Sequence, residues 1–388
     1  MRSSLREERL DNGVVLLVDP YPSALAAVVI GIGVGPLYEP EDRSGYSHLL
    51  EHMLFNVPEF DVDRAVEALG GETNAYTHRS SVVLTFQSLA DGLGGLIEVA
   101  VRVISNRRYE EARFENERRV VLSELRMSRE NPSERIGDLG LRALFGDGVW
   151  GRPIGGSPEI VSAATLEELL EFKEQWMTPD NMVVALAGNV GEADVAKARA
   201  EFSKLEGTAP PRRVPEMTRG PLLAKEVNRE VDGAYYSFAA KVSLDDAYYR
   251  LNAAAFHLAS GTKSLLFDSL RNKGLAYSYY VDFDSVGRDG FLQIVVESAS
   301  DLEAVRSVVK GLLSRAWTPP TYRLRYFAYE WNKSMEVPLN RAYAYVEAKM
   351  RGLDPFSIEA SVERAIAEGL SALPQAVEYS AEAFILPE

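Results

Sequence analysis

Three prolines within six residues, Pro210, Pro211 and Pro215, divide this chain of 388 residues into two parts of similar size. Each fixes φ and lacks a backbone N–H, so residues 207–215 cannot be the interior of a helix or of a central strand. We read 208–221 as a linker, with one domain over 1–207 and a second over 222–388, each of ordinary domain size. The order of signals is alike on the two sides. Glu67-Ala68-Leu69-Gly70-Gly71-Glu72-Thr73-Asn74-Ala75-Tyr76 precedes a strand and a helix. Leu270-Arg271-Asn272-Lys273-Gly274-Leu275-Ala276-Tyr277 likewise precedes a strand near 291–296 and a helix from Asp301. This weak internal repeat suggests two copies of one α+β unit, each a mainly antiparallel sheet with helices packed on one face.

Within the first part, Asn12-Gly13 opens a strand over 14–18, and the Ala/Val/Ile-rich run 24–33 reads as its buried neighbour. Leu49, Leu50, Met53 and Leu54 recur at helical spacing, predicting a helix over 44–55 with one polar stripe. A second helix over 61–69 stops at Gly70-Gly71, a strand covers 82–86, and a third helix runs from about 94 to 104. The charged stretch 110–129 reads as a long helix that turns Val120, Val121 and Leu125 inward and ends before Pro132.

Composition narrows the function. With 42 Lys+Arg against 57 Asp+Glu the net charge is −15, which repels phosphate backbones and anionic membrane surfaces, so neither nucleic acid nor membrane is an expected partner. The absence of cysteine removes disulfides, thiolate metal sites and Cys nucleophiles, leaving any metal to His and carboxylates. The start, from Met1 to Glu8, is polar and no long apolar run follows, so the expectation is a soluble, cytoplasmic protein.

Two of the four histidines stand in His48-Leu49-Leu50-Glu51-His52. Residues four apart lie on one helix face, so both rings can reach one point, with Glu51 on the flank of that stripe. This is the inverted form of the His-Glu-x-x-His zinc helix, and chance gives roughly 0.004 such matches in a chain of this length. Two imidazoles leave Zn²⁺ short of a tetrahedral set, so a third protein ligand and one open position are required. Glu110, Glu111, Glu115, Glu117, Glu124 and Glu130 on the long helix all offer a carboxylate, and spacing alone does not choose among them. Glu117 and Glu124 are two turns apart and share a face, which suits one as ligand and the other as its support. Glu51 is placed to take a proton from water and return it to a leaving amine.

The segment Glu39 to Gly45, His48 to His52 and Met53-Leu54-Phe55 together resemble the zinc helix of the insulinase/pitrilysin family of metallopeptidases. Gly70-Gly71-Glu72-Thr73-Asn74-Ala75-Tyr76-Thr77 is similar to the family's Gly-Gly…Asn-Ala-x-Thr segment, and 117–125 to its acidic helix. The similarity continues through Pro179-Asp180-Asn181-Met182 and Ala187-Gly188-Asn189-Val190 into the second half. It is nearest to the short-chain branch, which includes the catalytic subunit of mitochondrial processing peptidase and its prokaryotic relatives. The resemblance implies one Zn²⁺ per chain on His48, His52 and Glu124, with Glu117 in support and Glu51 as the catalytic carboxylate. It further implies that Asn74 and Ala75 pair with the substrate backbone, that Arg271 holds substrate and that the Tyr277 hydroxyl steadies the oxyanion.

Two spacings depart from the family. His52 and Glu124 are separated by fewer residues than usual, the shortage falling between Phe55 and Gly70, outside both ligand helices. Arg271 and Tyr277 are one residue closer than usual. The architecture implied is a bowl, or half-clamshell, of two homologous domains. Two such bowls enclose a chamber, so the expected assembly is a homodimer, or a heterodimer with a related chain, that hydrolyses internal bonds of unfolded peptides. The alternatives are a dedicated precursor-processing peptidase and a non-catalytic assembly subunit of the same fold. His78 is expected to be exposed and His257 to lie in the core. Gly31-Ile32-Gly33-Val34-Gly35 is not a dinucleotide loop, because Pro36 follows and no helix opens there.

Overall fold

The computed structural model describes residues 4–299, 301–316, 318–368, 371 and 373–388, so Met1 to Ser3 of the polar start lie outside the described residues. Along the first half run β1 (Arg6–Arg9), β2 (Val15–Pro20), β3 (Leu25–Ile32), α1 (Tyr46–Leu54), α2 (Val62–Glu67), β4 (Glu72–Thr77) and β5 (Val82–Leu89). There follow α3 (Leu93–Ser105), α4 (Glu111–Glu130), α5 (Pro132–Phe145), α6 (Pro158–Ala163), α7 (Leu166–Trp176), β6 (Met182–Gly188) and α8 (Glu192–Phe202). The second half supplies β7 (Leu223–Val227), β8 (Ala234–Ser243), α9 (Ala247–Ala259), β9 (Ser278–Val286), β10 (Asp289–Ala299) and α10 (Leu302–Leu313). It closes with α11 (Thr321–Met335), α12 (Pro338–Met350), α13 (Ile358–Glu368), α14 (Leu373–Ala376) and β11 (Val377–Leu386). Among the described residues, no helix is long and apolar enough to cross a membrane.

Two compact units result, and neither is a contiguous half of the chain. One contains Met1–Leu125, Ile154–Val214 and Asn332–Phe356; the other contains Arg126–Pro153, Pro215–Trp331 and Ser357–Glu388. The chain does pass between units within the proline-rich stretch, at Val214 and Pro215. The division at 208–221 into 1–207 and 222–388 misses two exchanged segments, 126–153 and 332–356. Within the first, Pro132 follows the end of α4 but also starts α5, where its missing N–H costs nothing, and Asn131 caps the new helix by accepting from the Ser133 N–H at 3.0 Å.

In the first unit the sheet order is β1-β2-β6-β3-β5-β4, antiparallel except for the parallel β2–β6 pair. Strand alternation sorts its residues. Ala26, Val28, Ile30 and Ile32 of β3 face a core shared with Leu49, Leu50, Met53 and Leu54 of α1 and Leu96, Ala100 and Val103 of α3. The opposite face is covered by the exchanged α12, which packs on β3, β6 and β5. It fits closely because β3 has glycine there: a Cβ at Gly31 would collide with Val346 and come within 3.1 Å of Met350 Cγ. α12 is also held by charge. Arg341 Nε lies 2.8 Å from Asp19 Oδ2, and the Tyr345 hydroxyl donates to the same oxygen at 2.6 Å.

The second unit repeats the plan. Its sheet order is β7-β11-β8-β10-β9, again with one parallel pair, β7–β11. Tyr236, Phe238, Ala240 and Val242 of β8 share a core with α9 and α10 on one face. On the other face the exchanged α5 packs Ile136 against Val295, Ala383 and Ile385. Gln293 Nε2 ties it down by donating to the Gly137 carbonyl at 2.7 Å. Each sheet therefore carries the expected layer of helices on one face and a single exchanged helix on the other.

The Asp19 carboxylate is 1% exposed, so removing it strands the Arg341 charge in a dry interface. Asp19→Ala is expected to lower unfolding free energy by about 3 kcal/mol in urea titration. A loss below about 0.5 kcal/mol, the size of a surface change, would show that the ion pair does not anchor α12.

Candidate metal centre

α1 is built to be rigid. Its apolar stripe is buried as predicted, with Leu49, Leu50, Met53 and Leu54 in the core. Its start is fixed by Gly45 at φ 100°, a left-handed conformation that favours glycine, and by the buried Glu39, whose carboxylate accepts from the Gly45 N–H at 2.8 Å and the Ser47 N–H at 2.7 Å. A carboxylate at a helix N-terminus also complements the helix dipole. Glu39 was part of the quoted motif, but its capping role needs the fold to be seen.

The polar stripe of α1 meets α4. On α4 the inward residues are Phe114, Val121 and Leu125, while Val120, expected inward, is 45% exposed. Residues 120 and 121 are 100° apart on a helix, and one apolar contact cannot hold both. This rotation directs Glu117 and Glu124 to the histidines. Glu124 Oε2 lies 3.8 Å from His48 Nε2 and 3.4 Å from His52 Nε2. Glu117 Oε2 lies 3.4 Å from the other nitrogen of His52, Nδ1. Glu117 is thus placed to accept the Nδ1 proton and leave Nε2 free, the arrangement that orients a ligating imidazole. The two rings stand edge to face with centroids 4.8 Å apart.

His48, His52 and Glu124 present ligand atoms within 4.8 Å of one another, and no other group of three or more such residues occurs among the described residues. The corners of a tetrahedral zinc site with arms of about 2.05 Å are about 3.4 Å apart. The donor set fits a divalent ion of that kind: two nitrogens and one oxygen converge, and the Glu124 oxygen stands 3.8 and 3.4 Å from the two ring nitrogens, near that spacing. Electrostatics agree with this. Burial, reinforced by the neighbouring His52, pushes the His48 pKa down to about 4, so its ring is neutral and able to ligate at neutral pH.

Glu51 leans the other way, toward the edge strand. Its Oε2 accepts from the Thr77 hydroxyl of β4 at 2.7 Å. Burial raises its pKa above the usual glutamate value, and the Thr77 hydrogen bond opposes part of that rise. Asn74 and Ala75 lie on β4, the outermost strand, whose one neighbour in the sheet is β5. Asn74 Nδ2 donates to the Tyr76 hydroxyl at 3.1 Å. The role of Thr77, quoted within the motif, becomes visible only when β4 is seen beside α1.

Arg271 and Tyr277 meet each other in the second unit. Arg271 Nη1 donates to the Tyr277 carbonyl at 2.9 Å and its guanidinium stands 5.4 Å from the Tyr277 ring centre. Tyr277 is 74% exposed, immediately before β9. His257 is buried beside Phe256 and Phe327, as expected of a core residue. His78 differs from expectation: it is half-buried and hydrogen-bonded to Tyr343 of α12, a partner far away in sequence.

Comparison with known proteins agrees with this geometry. Residues 14–157 match the family described as "Insulinase (Peptidase family M16)", and residues 163–315 match "Peptidase M16 inactive domain". His48, His52 and Glu124 all fall within the first match. An uncharacterized zinc protease of Mycobacterium leprae is 33% identical over 299 residues, 74% of this chain and 67% of the relative. The fold is similar to that of a protease from Helicobacter pylori, with TM-score 0.88, 18% identity and coverage of 99% of this chain and 100% of that one. It is also similar to a peptidase M16 inactive domain from Pseudomonas fluorescens, with TM-score 0.85, 15% identity and coverage of 99% and 98%. The chain belongs to the insulinase family of peptidases, family M16.

Proposed function

We propose that this chain is a zinc-dependent endopeptidase acting on internal bonds of unfolded peptides. The observation that carries the reading is the convergence of His48, His52 and Glu124, with Glu51 next to His52 on α1 and hydrogen-bonded to the edge strand. When bound, Zn²⁺ supplies a Lewis acid that polarises the scissile carbonyl and makes a water acidic enough to ionise near neutral pH.

The chain's own residues do the rest. His48 and His52 offer Nε2 and Glu124 offers Oε2 as ligands, and Glu117 orients His52. Glu51, raised in pKa by burial, takes the proton from the attacking water and delivers it to the leaving amine nitrogen. The substrate backbone adds to the free edge of β4 at Asn74 and Ala75, where main-chain hydrogen bonds bind without reading side chains. In the second unit, exposed Tyr277 supplies a hydroxyl for the developing oxyanion and Arg271 holds the peptide.

Full-chain protein loaded with zinc should cleave a quenched peptide, and Glu51→Gln should lower kcat by at least about a thousandfold while retaining one equivalent of metal. EDTA should abolish turnover. Activity indifferent to both treatments would contradict the zinc mechanism, and no cleavage by the loaded wild type would favour the non-catalytic assembly role.

The Thr77 hydroxyl stabilises the charged form of Glu51, so its removal should raise the Glu51 pKa further. A general base works only when deprotonated, and its activity is lost as pH falls through its pKa. Thr77→Val should therefore move the acid limb of kcat/KM to higher pH, costing roughly tenfold at the acid end. An unmoved limb would remove Glu51 as the titrating base.

We also infer a homodimer in which Tyr277 of one chain completes the site of the other. Equal mixing of Glu51→Gln and Tyr277→Phe chains then gives one intact site in each mixed dimer, restoring about a quarter of wild-type activity. No recovery on mixing and re-equilibration would rule out shared sites.

A further inference from the structure

β4 has two faces, and the proposed chemistry uses one of them. Thr77 points to α1 and Glu51, and Ala75 is buried in the same core as α1. Strand alternation then puts Glu72, Asn74 and Tyr76 on the opposite face, the side covered by α12. There Tyr76 is 43% exposed and meets Tyr343 of α12 edge to face, at 6.2 Å and 86°. Tyr343 also packs edge to face on His78, with ring centres 6.0 Å apart.

Both phenol hydroxyls are already engaged, that of Tyr76 by Asn74 Nδ2 and that of Tyr343 by His78 Nε2. What the pair presents to an incoming group is therefore ring surface. Behind His78 stands Glu347, 3% exposed, with Oε2 held by Arg351 at 2.8 Å. Its Oε1 has no hydrogen-bond partner among the described residues and lies 3.9 Å from His78 Nε2. This buried oxygen lies beside the imidazole, and the hydrogen bond between His78 Nε2 and the Tyr343 hydroxyl keeps Tyr343 against the end of β4.

We propose that Tyr343, positioned by His78, forms with Tyr76 a side-chain subsite that selects an aromatic residue of the bound peptide. The inference rests on the reading above that substrate adds as a strand along β4. Side chains of an added strand alternate between the two faces, and a residue directly opposite Tyr76 would have its Cβ about 5 Å away on the Tyr343 side. The residue opposite Thr77 faces the metal ligands, so its neighbour in the peptide enters the aromatic subsite. Recognition of one aromatic side chain by edge-to-face contact gives specificity to a backbone mode of binding that has none.

The test uses two quenched peptides that differ at one position next to the cleaved bond, phenylalanine against alanine, with zinc-loaded full-chain enzyme. Wild type should favour the phenylalanine peptide by roughly fivefold to tenfold in kcat/KM, mostly through KM. Tyr343→Ala should erase that preference, bringing the phenylalanine peptide's kcat/KM down to about that of the alanine peptide, whereas Tyr343→Phe should keep it. Fluorescence anisotropy with Glu51→Gln should show the same order of binding without any turnover. Equal loss for both peptides in Tyr343→Ala, or a preference that survives it, would overturn the subsite. If Tyr343→Ala does not fold, Tyr343→Leu takes its place, and an intact preference there overturns it equally. Failure of wild type to cleave or bind either peptide would sink the peptidase reading itself.

Discussion

Two imidazoles one helical turn apart can meet a metal only if the helix carrying them does not move. The structure meets this condition on three sides of α1. Its apolar stripe is sealed into the core of the first unit, Glu39 holds its first turn, and α4 stands across its polar stripe with Glu117 and Glu124. The same burial that fixes His48 keeps its ring neutral, and the same burial that raises Glu51 makes it a better proton acceptor. Rigidity and acid–base tuning thus share one physical cause, the exclusion of water around one short helix.

The exchanged helices bear on function through the sheets. In the first unit, α12 closes the face of the sheet opposite to α1, using the space left by Gly31 and the buried pair of Asp19 and Arg341. Its Tyr343 reaches the end of β4, so a segment contributed by the second half of the sequence helps to set the shape of the strand edge. An edge strand with unpaired backbone groups is a hazard unless something controls its use. Here one face of the edge carries Glu51's hydrogen bond and the other carries a tyrosine pair.

Much of this was readable in the sequence because it is local. The i, i+4 histidines, the apolar stripe of α1 and the two-turn spacing of Glu117 and Glu124 depend only on helical periodicity, and the structure keeps all three. The choice of Glu124 over five other glutamates was not local. It depended on the rotation of α4 about its axis, set by Phe114 and Val121, and family resemblance supplied it. The exchange of α5 is not legible for a related reason: Pro132 reads as a stop, yet it occupies the first turn of a new helix, as Pro338 does at the start of α12. The half-burial of His78 is not legible in the sequence because its partner, Tyr343, is 265 residues away.

The proposed chemistry depends on one divalent ion held by His48, His52 and Glu124. X-ray absorption at the zinc edge of the loaded full chain tests it most directly. Such a site requires two imidazole nitrogens and one carboxylate oxygen at about 2.0–2.1 Å, with one further light atom in the open position. It also requires that His48→Ala or His52→Ala lose one imidazole and most of the bound metal. A chain that takes up no stoichiometric zinc, or whose zinc spectrum is unchanged in both variants, would contradict it.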